Sequence, residues 1–147
     1  MKNNKLLCTM HVMWYESHMI NETLDSIQLA IENAEHDVEI WGSGNQMREF
    51  IYVDDVARAC IHLMNNDFTG AYNCSSEVEI TINDLANLIA EILGFNGKIN
   101  YNIDKPEGHL RKGFTCNKLR STGWKHVINL KDGIKLSYDW YKETINE

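Results

Sequence analysis

The chain has 147 residues, 44% of them hydrophobic and 24% charged, which suffices for one modest core. Lys and Arg number 14 against 21 Asp and Glu, and the resulting net charge of -7 argues against a broad nucleic-acid-binding face. Charged residues break every apolar run well short of the roughly 18 residues a membrane span needs, so no membrane segment is expected.

The first ten residues hold two lysines and a brief apolar stretch, without a full hydrophobic region or a small-residue cleavage site. Lys5 to Val12 therefore reads as a strand, not a signal peptide. Ile20, Leu24, Ile27 and Ile31 then recur at helical spacing up to Ala34. Val38 to Trp41 predicts a short strand stopped by Gly42-Ser43-Gly44. Phe50 to Val53 predicts another, with Asp54 and Asp55 as N-cap and first-turn acids of a helix carrying Val56, Cys60 and Leu63. Gly70 to Cys74 reads as strand into loop. Thr81 and Asp84 have capping-box spacing, although Glu or Gln is the usual partner. Leu85, Leu88, Ile89, Ile92 and Leu93 make the clearest amphipathic stripe, closed by Gly94. Lys98 to Asn102 reads as a strand, Asn117 to Thr122 as a short helix and Leu130 to Ile145 as a final helix. Strands alternating with helices predict an α/β fold.

Cys8, Cys60, Cys74 and Cys116 are widely spaced with no C-x-x-C, the pattern of reduced thiols in a cytoplasmic protein. Neither they nor the six histidines have metal-ligand spacing, so no zinc is expected.

A nucleotide-dependent α/β enzyme should show a Gly-rich turn between its first strand and the following helix. After Val12 the chain reads Met-Trp-Tyr-Glu-Ser-His, with no glycine. Gly42-Ser43-Gly44 lacks the third glycine and leads toward a strand, so it reads as a tight strand-to-strand loop. Tyr138 and Lys142 have the Y-x-x-x-K spacing that places a phenol beside an ammonium on one helix face. Tyr138 also continues the apolar stripe of Ile134, Tyr141 and Ile145, which favours a packing role, with Lys142 as a solvated end-of-helix cation.

The segment from Val38 to Arg58, with W-G-S-G-x-x-M-R-E-F-x-x-V-D-D at its centre, resembles the C-terminal half of extended short-chain dehydrogenase/reductases, the NAD-dependent epimerase/dehydratase family. Within that family it is most similar to the GDP-L-fucose synthases. Tyr72-Asn73-Cys74-Ser75, Lys105-Pro106-Glu107-Gly108 with Arg111-Lys112, and Leu119 with Gly123-Trp124 resemble further family segments in the same order. The resemblance implies an incomplete α/β architecture: the small substrate-binding domain plus a short N-terminal strand-helix unit, without a full Rossmann domain. It divides the chain into residues 1–37, of uncertain origin, and a sugar-nucleotide-binding part over 38–147. It also implies that Trp41, Arg48 and Glu107 contact a GDP-sugar, Glu107 standing where the family has Asp. Arg48, Arg111 and Lys112 lie ready for the diphosphate, which suits guanidinium and ammonium donors.

Ser17-His18-Met19-Ile20 falls where the family has S-H-V-I, making His18 the candidate acid/base, a task that suits an imidazole. The match then fails at Asn21 and Ser26, where the family has proline and a substrate-contacting arginine. The same opening residues also resemble the first strand and helix of GT-A-type glycosyltransferases, through the run from Lys5 to Met13, Tyr15-Glu16 and the run from Met19 to Ile27. The intact family binds NADP through a Rossmann half whose glycine loop and catalytic Ser, Tyr and Lys have no counterpart in this sequence. The resemblance thus implies a GDP-sugar-binding part that is not competent alone and that pairs with a separate Rossmann-half chain or self-associates. The alternatives are a non-catalytic sugar-nucleotide-binding or interaction module and an inactive glycosyltransferase-epimerase fusion fragment.

Overall fold

A computed structural model describes residue 23, residues 25–33 and residues 35–145. The expected strand from Lys5 to Val12 and His18 lie outside the described residues. In chain order the elements are α1 (residues 25–32), β1 (Asp37–Trp41), β2 (Met47–Glu49), α2 (Val53–Asn65), β3 (Glu79–Thr81), α3 (Ile82–Leu93), β4 (Lys98–Asn102), a one-turn α4 (Asn117–Arg120) and α5 (Leu130–Ile145). The fold is mixed α/β. β1 and β4 pair in parallel, Asp37 opposite Lys98 and Trp41 opposite Asn102, while β2 and β3 pair antiparallel around Arg48 and Ile80. No helix among the described residues is long and apolar enough to cross a membrane.

The best-specified element is α3, because every signal that makes it is local. Thr81 Oγ1 accepts the Asp84 N–H at 3.0 Å and donates back to the Asp84 carboxylate at 2.7 Å, satisfying one of the helix start's orphan donors. Gly94, at φ 74°, ends the helix in the left-handed region. Its apolar face buries Leu85 and Ile89 against Ile27 and Ala30 of α1, Val38 of β1 and Ile134 of α5. Each such large apolar side chain is worth about 1.5–3 kcal/mol of burial. The helix that precedes residue 37 and the elements that follow it thus share one core. A second cluster joins Ala59 and Leu63 of α2 to Tyr72, Cys116, Leu119 and Trp124.

Several sequence expectations are corrected. Phe50 to Val53 is not a strand: the strand is Met47–Glu49, and Val53 already belongs to α2. The N-cap of α2 is Tyr52, which makes no side-chain cap, so neither aspartate caps the helix. Asp54 and Asp55 do lie in its first turn. Asp55 is fully buried and accepts the N–H groups of Val127 and Ile128, both at 2.9 Å, tying α2 to the segment before α5. Gly70 to Cys74 forms no strand. The family resemblance predicts Cys60, Leu63 and Met64 as an uncovered face of α2. Leu63 is instead a core residue and Cys60 is half-buried, leaving Met64 exposed. Of the remaining described cysteines, Cys74 is half-buried and Cys116 buried.

Candidate functional site

The site is built on the turn between β1 and β2 and on the long connection that returns from β4. Trp41 ends β1 with its indole 62% exposed, so it is not a core aromatic. Gly42 N–H donates to Asn102 O at 2.8 Å, which fixes the turn to the end of β4. Gly42 and Gly44 both have positive φ, 84° and 76°. A Cβ on Gly44 would come within 2.6 Å of the Tyr101 ring, and one on Gly42 within 2.8 Å of Gln46 Nε2. Only glycine suits either position, for conformation and for room. The carbonyls of Gly44 and Gln46 accept the N–H groups of Asn83 and Ile82, at 2.9 and 3.0 Å. The first donors of α3 are therefore spent on this turn and are not offered to an anion.

The connection after β4 closes over the turn. Lys105 Nζ stands 5.0 Å from the centroid of the Trp41 ring, a cation–π contact at the rim. The Glu107 carboxylate accepts the Ser43 N–H. Hydrogen bonds from the Ser43 hydroxyl and amide hold the Glu107 carboxyl below the usual range; burial opposes them, and the Gln46 side chain adds the smallest contribution. Arg48 is buried, and its Nη1 donates to Met47 O and to His109 O, both at 2.8 Å. The guanidinium thereby anchors the connection to β2. Met47 N–H donates to Leu110 O at 2.8 Å, and Lys112 N–H to Met47 O at 3.3 Å, so the returning chain lies along β2.

Trp41, Arg48 and Glu107 therefore meet at one locus with the Gly42–Gly44 turn. Arg111 and Lys112 stand at the far end of the same connection. The Arg111 guanidinium faces Glu79, which it contacts through three hydrogen bonds of 2.7 to 3.0 Å. The Lys112 ammonium has no ion-pair partner among the described residues. Sequence reasoning missed Gln46 and the seat of Lys105 on Trp41. Lys105 carries a signal, since it opens the Lys105-Pro106-Glu107-Gly108 segment. Gln46 carries none, because its partner comes from a distant loop.

Tyr138 and Lys142 behave as structural residues. The Tyr138 hydroxyl donates to Gln28 at 2.7 Å, and Lys142 pairs with Asp139 at 2.8 Å while its Nζ sits 4.5 Å from the centroid of the Tyr138 ring. A separate cleft of about 430 Å³ lies nearby, lined by Asp25, Tyr52, Val53, Ser137, Trp140 and Tyr141. Burial first, then the Asp25 carboxylate, pushes the Tyr141 phenol up to about 12, which makes it a poor proton donor near neutrality. Among the described residues no three His, Cys, Asp or Glu side chains gather as metal ligands.

Residues 14–75 match the model of the NAD dependent epimerase/dehydratase family. A putative GDP-L-fucose synthase 2 of Arabidopsis thaliana is 41% identical over 131 residues, 88% of this chain and 40% of that protein. GDP-L-fucose synthase of Escherichia coli K12 is 35% identical over 137 residues, 86% of this chain and 43% of its own length. The chain belongs to the NAD-dependent epimerase/dehydratase family. Among solved structures, a GDP-mannoheptose C4 reductase of Campylobacter jejuni with NADP bound superposes with a TM-score of 0.72 at 32% identity, covering 84% of this chain and 44% of that one. The epimerase/dehydratase match begins at residue 14, so it takes in Ser17-His18-Met19-Ile20 and the part from Tyr15 to Ile27 of the stretch that also resembles a glycosyltransferase opening, but not the run from Lys5 to Met13. The chain spans about 40% of the length of the curated epimerase/dehydratase relatives it matches.

The family implies NADP. The described residues do not fit its pyrophosphate: the single G-x-G among them, Gly42-Ser43-Gly44, opens onto β2 and not onto a helix N-terminus.

Proposed function

We propose that this chain is the sugar-nucleotide-binding part of a GDP-L-fucose synthase-like epimerase/reductase, with residues 38–147 carrying the site and a GDP-sugar as its ligand. The observation that carries the reading is the crossing of Glu107 to the Ser43 amide, which joins the two motif-bearing segments into one preformed surface beside an exposed indole. On this reading the Trp41 ring receives the base. Arg111 and Lys112 meet the diphosphate, and Arg48 and Glu107 hold and line the pocket between them. His18 is the proposed acid/base for the sugar. NADP and the hydride step belong to residues outside this set, in a Rossmann half, and the part acts in the cytoplasm.

A second reading, a sugar-nucleotide-binding or interaction module without turnover, is favoured by the turn's approach to β2, which leaves the described residues without a dinucleotide cradle. Thermal unfolding with and without millimolar GDP, GDP-mannose, UDP-glucose and NADPH tests both. Ligand at a hundredfold its Kd should add about 2.7 kcal/mol. Stabilisation by the two GDP compounds alone supports the proposed site, and catalytic turnover on adding a Rossmann-half chain separates the first reading from the second. A chain indifferent to all four ligands defeats both.

A further inference from the structure

We infer, resting on the sugar-nucleotide reading above, that Gln46 is a positioning residue: its buried amide holds the Glu107 carboxylate against the Ser43 peptide, and this latch sets where the Trp41 indole meets a nucleoside diphosphate. The backbone leaves the Gln46 side chain little choice of place. Its carbonyl accepts the Ile82 N–H at 3.0 Å, and the next residue's N–H is committed to Leu110 O at 2.8 Å. The side chain runs beneath the turn, 96% buried, where Nε2 fills the space that a Cβ at Gly42 would need. There it lies beside the Glu107 carboxylate, whose Oε1 stands 3.4 Å from the same Cβ position and accepts the Ser43 N–H.

The same amide leaves Oε1 without a partner, the only buried side-chain nitrogen or oxygen so placed among the described residues. An orphaned buried acceptor costs stability. A methionine would fill the same space with no such acceptor. A glutamine here is therefore a poor choice for packing and a good one for orienting a carboxylate. What the carboxylate orients is the Trp41 setting. Glu107 grips the peptide two residues beyond Trp41, and Lys105, two residues before Glu107, stands against the indole ring. Both boundaries of the ring run through the latch.

The test uses the full chain and the variants Gln46→Met, Glu107→Gln and the double variant, with GDP as probe. Calorimetric titration should show Gln46→Met weakening GDP about tenfold, the effect of one hydrogen bond to a charged group, while its thermal midpoint stays level or rises. The double variant should bind no worse than Glu107→Gln alone, because both changes open one latch. The Ser43 amide reports the latch without ligand. Its proton resonance should move and its hydrogen exchange should quicken on the order of tenfold in Gln46→Met.

A Ser43 amide unchanged in Gln46→Met overturns the latch, whatever GDP does. A lowered midpoint with unchanged GDP affinity makes Gln46 a packing residue and overturns the positioning role. A wild-type chain that leaves GDP unbound while Ser43 shifts in the variant overturns the nucleotide half of the inference together with the reading it rests on, and keeps the latch.

Discussion

Arg111 and Glu79 meet fork to fork: Nε donates to both carboxylate oxygens, at 2.8 and 3.0 Å, and Nη2 to Oε2 at 2.7 Å. The hydrogen bonds from Arg111 hold the Glu79 carboxyl below its usual range. Glu79 thus occupies the guanidinium that a diphosphate would claim. The pair is exposed on the Arg111 side, where such contacts are weak and easily exchanged. Glu79→Gln should therefore tighten GDP binding about two- to fivefold at low salt, less at high salt. Calorimetry at two ionic strengths checks this, and Arg111→Ala added to Glu79→Gln should cancel the gain. Weaker binding in Glu79→Gln would instead make Glu79 the residue that orients Arg111.

Trp41 should be costly to ligand and nearly free to the fold, since its ring is largely exposed. Trp41→Ala should weaken GDP by on the order of ten- to a hundredfold, the range for one stacked base. The thermal midpoint should stay where it is. Intrinsic fluorescence quenched by GDP in the wild type, and unquenched in the variant, gives an independent reading.

Asp55 should govern acid stability. Burial alone would push its carboxyl up, but the Ile128 and Val127 amides and the Arg58 guanidinium together hold it below its ordinary 3.8. Its folded value thus lies below its unfolded one. The stabilisation is complete above about 3.8 and is lost as the pH falls through the folded value. Asp55→Asn should cost about 2–3 kcal/mol at neutral pH by urea titration, and its stability should depend less steeply on pH below 4. An unchanged acid transition in the variant would place the sensitivity elsewhere.

Gly44 and Gly94 share a positive φ but not a neighbourhood. A Cβ on Gly94 meets nothing within 4 Å, while one on Gly44 strikes Tyr101. Gly94→Ala should cost about 1 kcal/mol, for backbone strain alone. Gly44→Ala should cost more and should also reduce GDP binding, because relief of the clash moves the turn. Equal losses in the two variants would show that the Tyr101 contact is soft.

How much of this was legible follows from the distance over which each signal acts. α3 could be read from Thr81 to Gly94 because its cap, stripe and stop are all sequence neighbours. β1 and β4 were readable as strands, yet nothing in either dictates their parallel pairing, which depends on α3 packing between them in the chain. The run Phe50 to Val53 misled because four apolar or aromatic residues suit a strand or a helix entrance equally. At the site, Trp41 and Glu107 stood out through their motifs, and the exposure of one and the engagement of the other agree with a formed surface. Arg48 was expected near phosphate. Its burial beneath two carbonyl oxygens depends on the path of the 103–110 segment, which no local pattern specifies.

That path has a thermodynamic consequence. With Arg48 on the His109 carbonyl and Glu107 on the Ser43 amide, the segment between β4 and Arg111 loses its conformational freedom when the chain folds, not when a ligand arrives. Association should then show a small heat-capacity change, set by the indole surface removed from water and without the larger contribution of a loop that orders on binding.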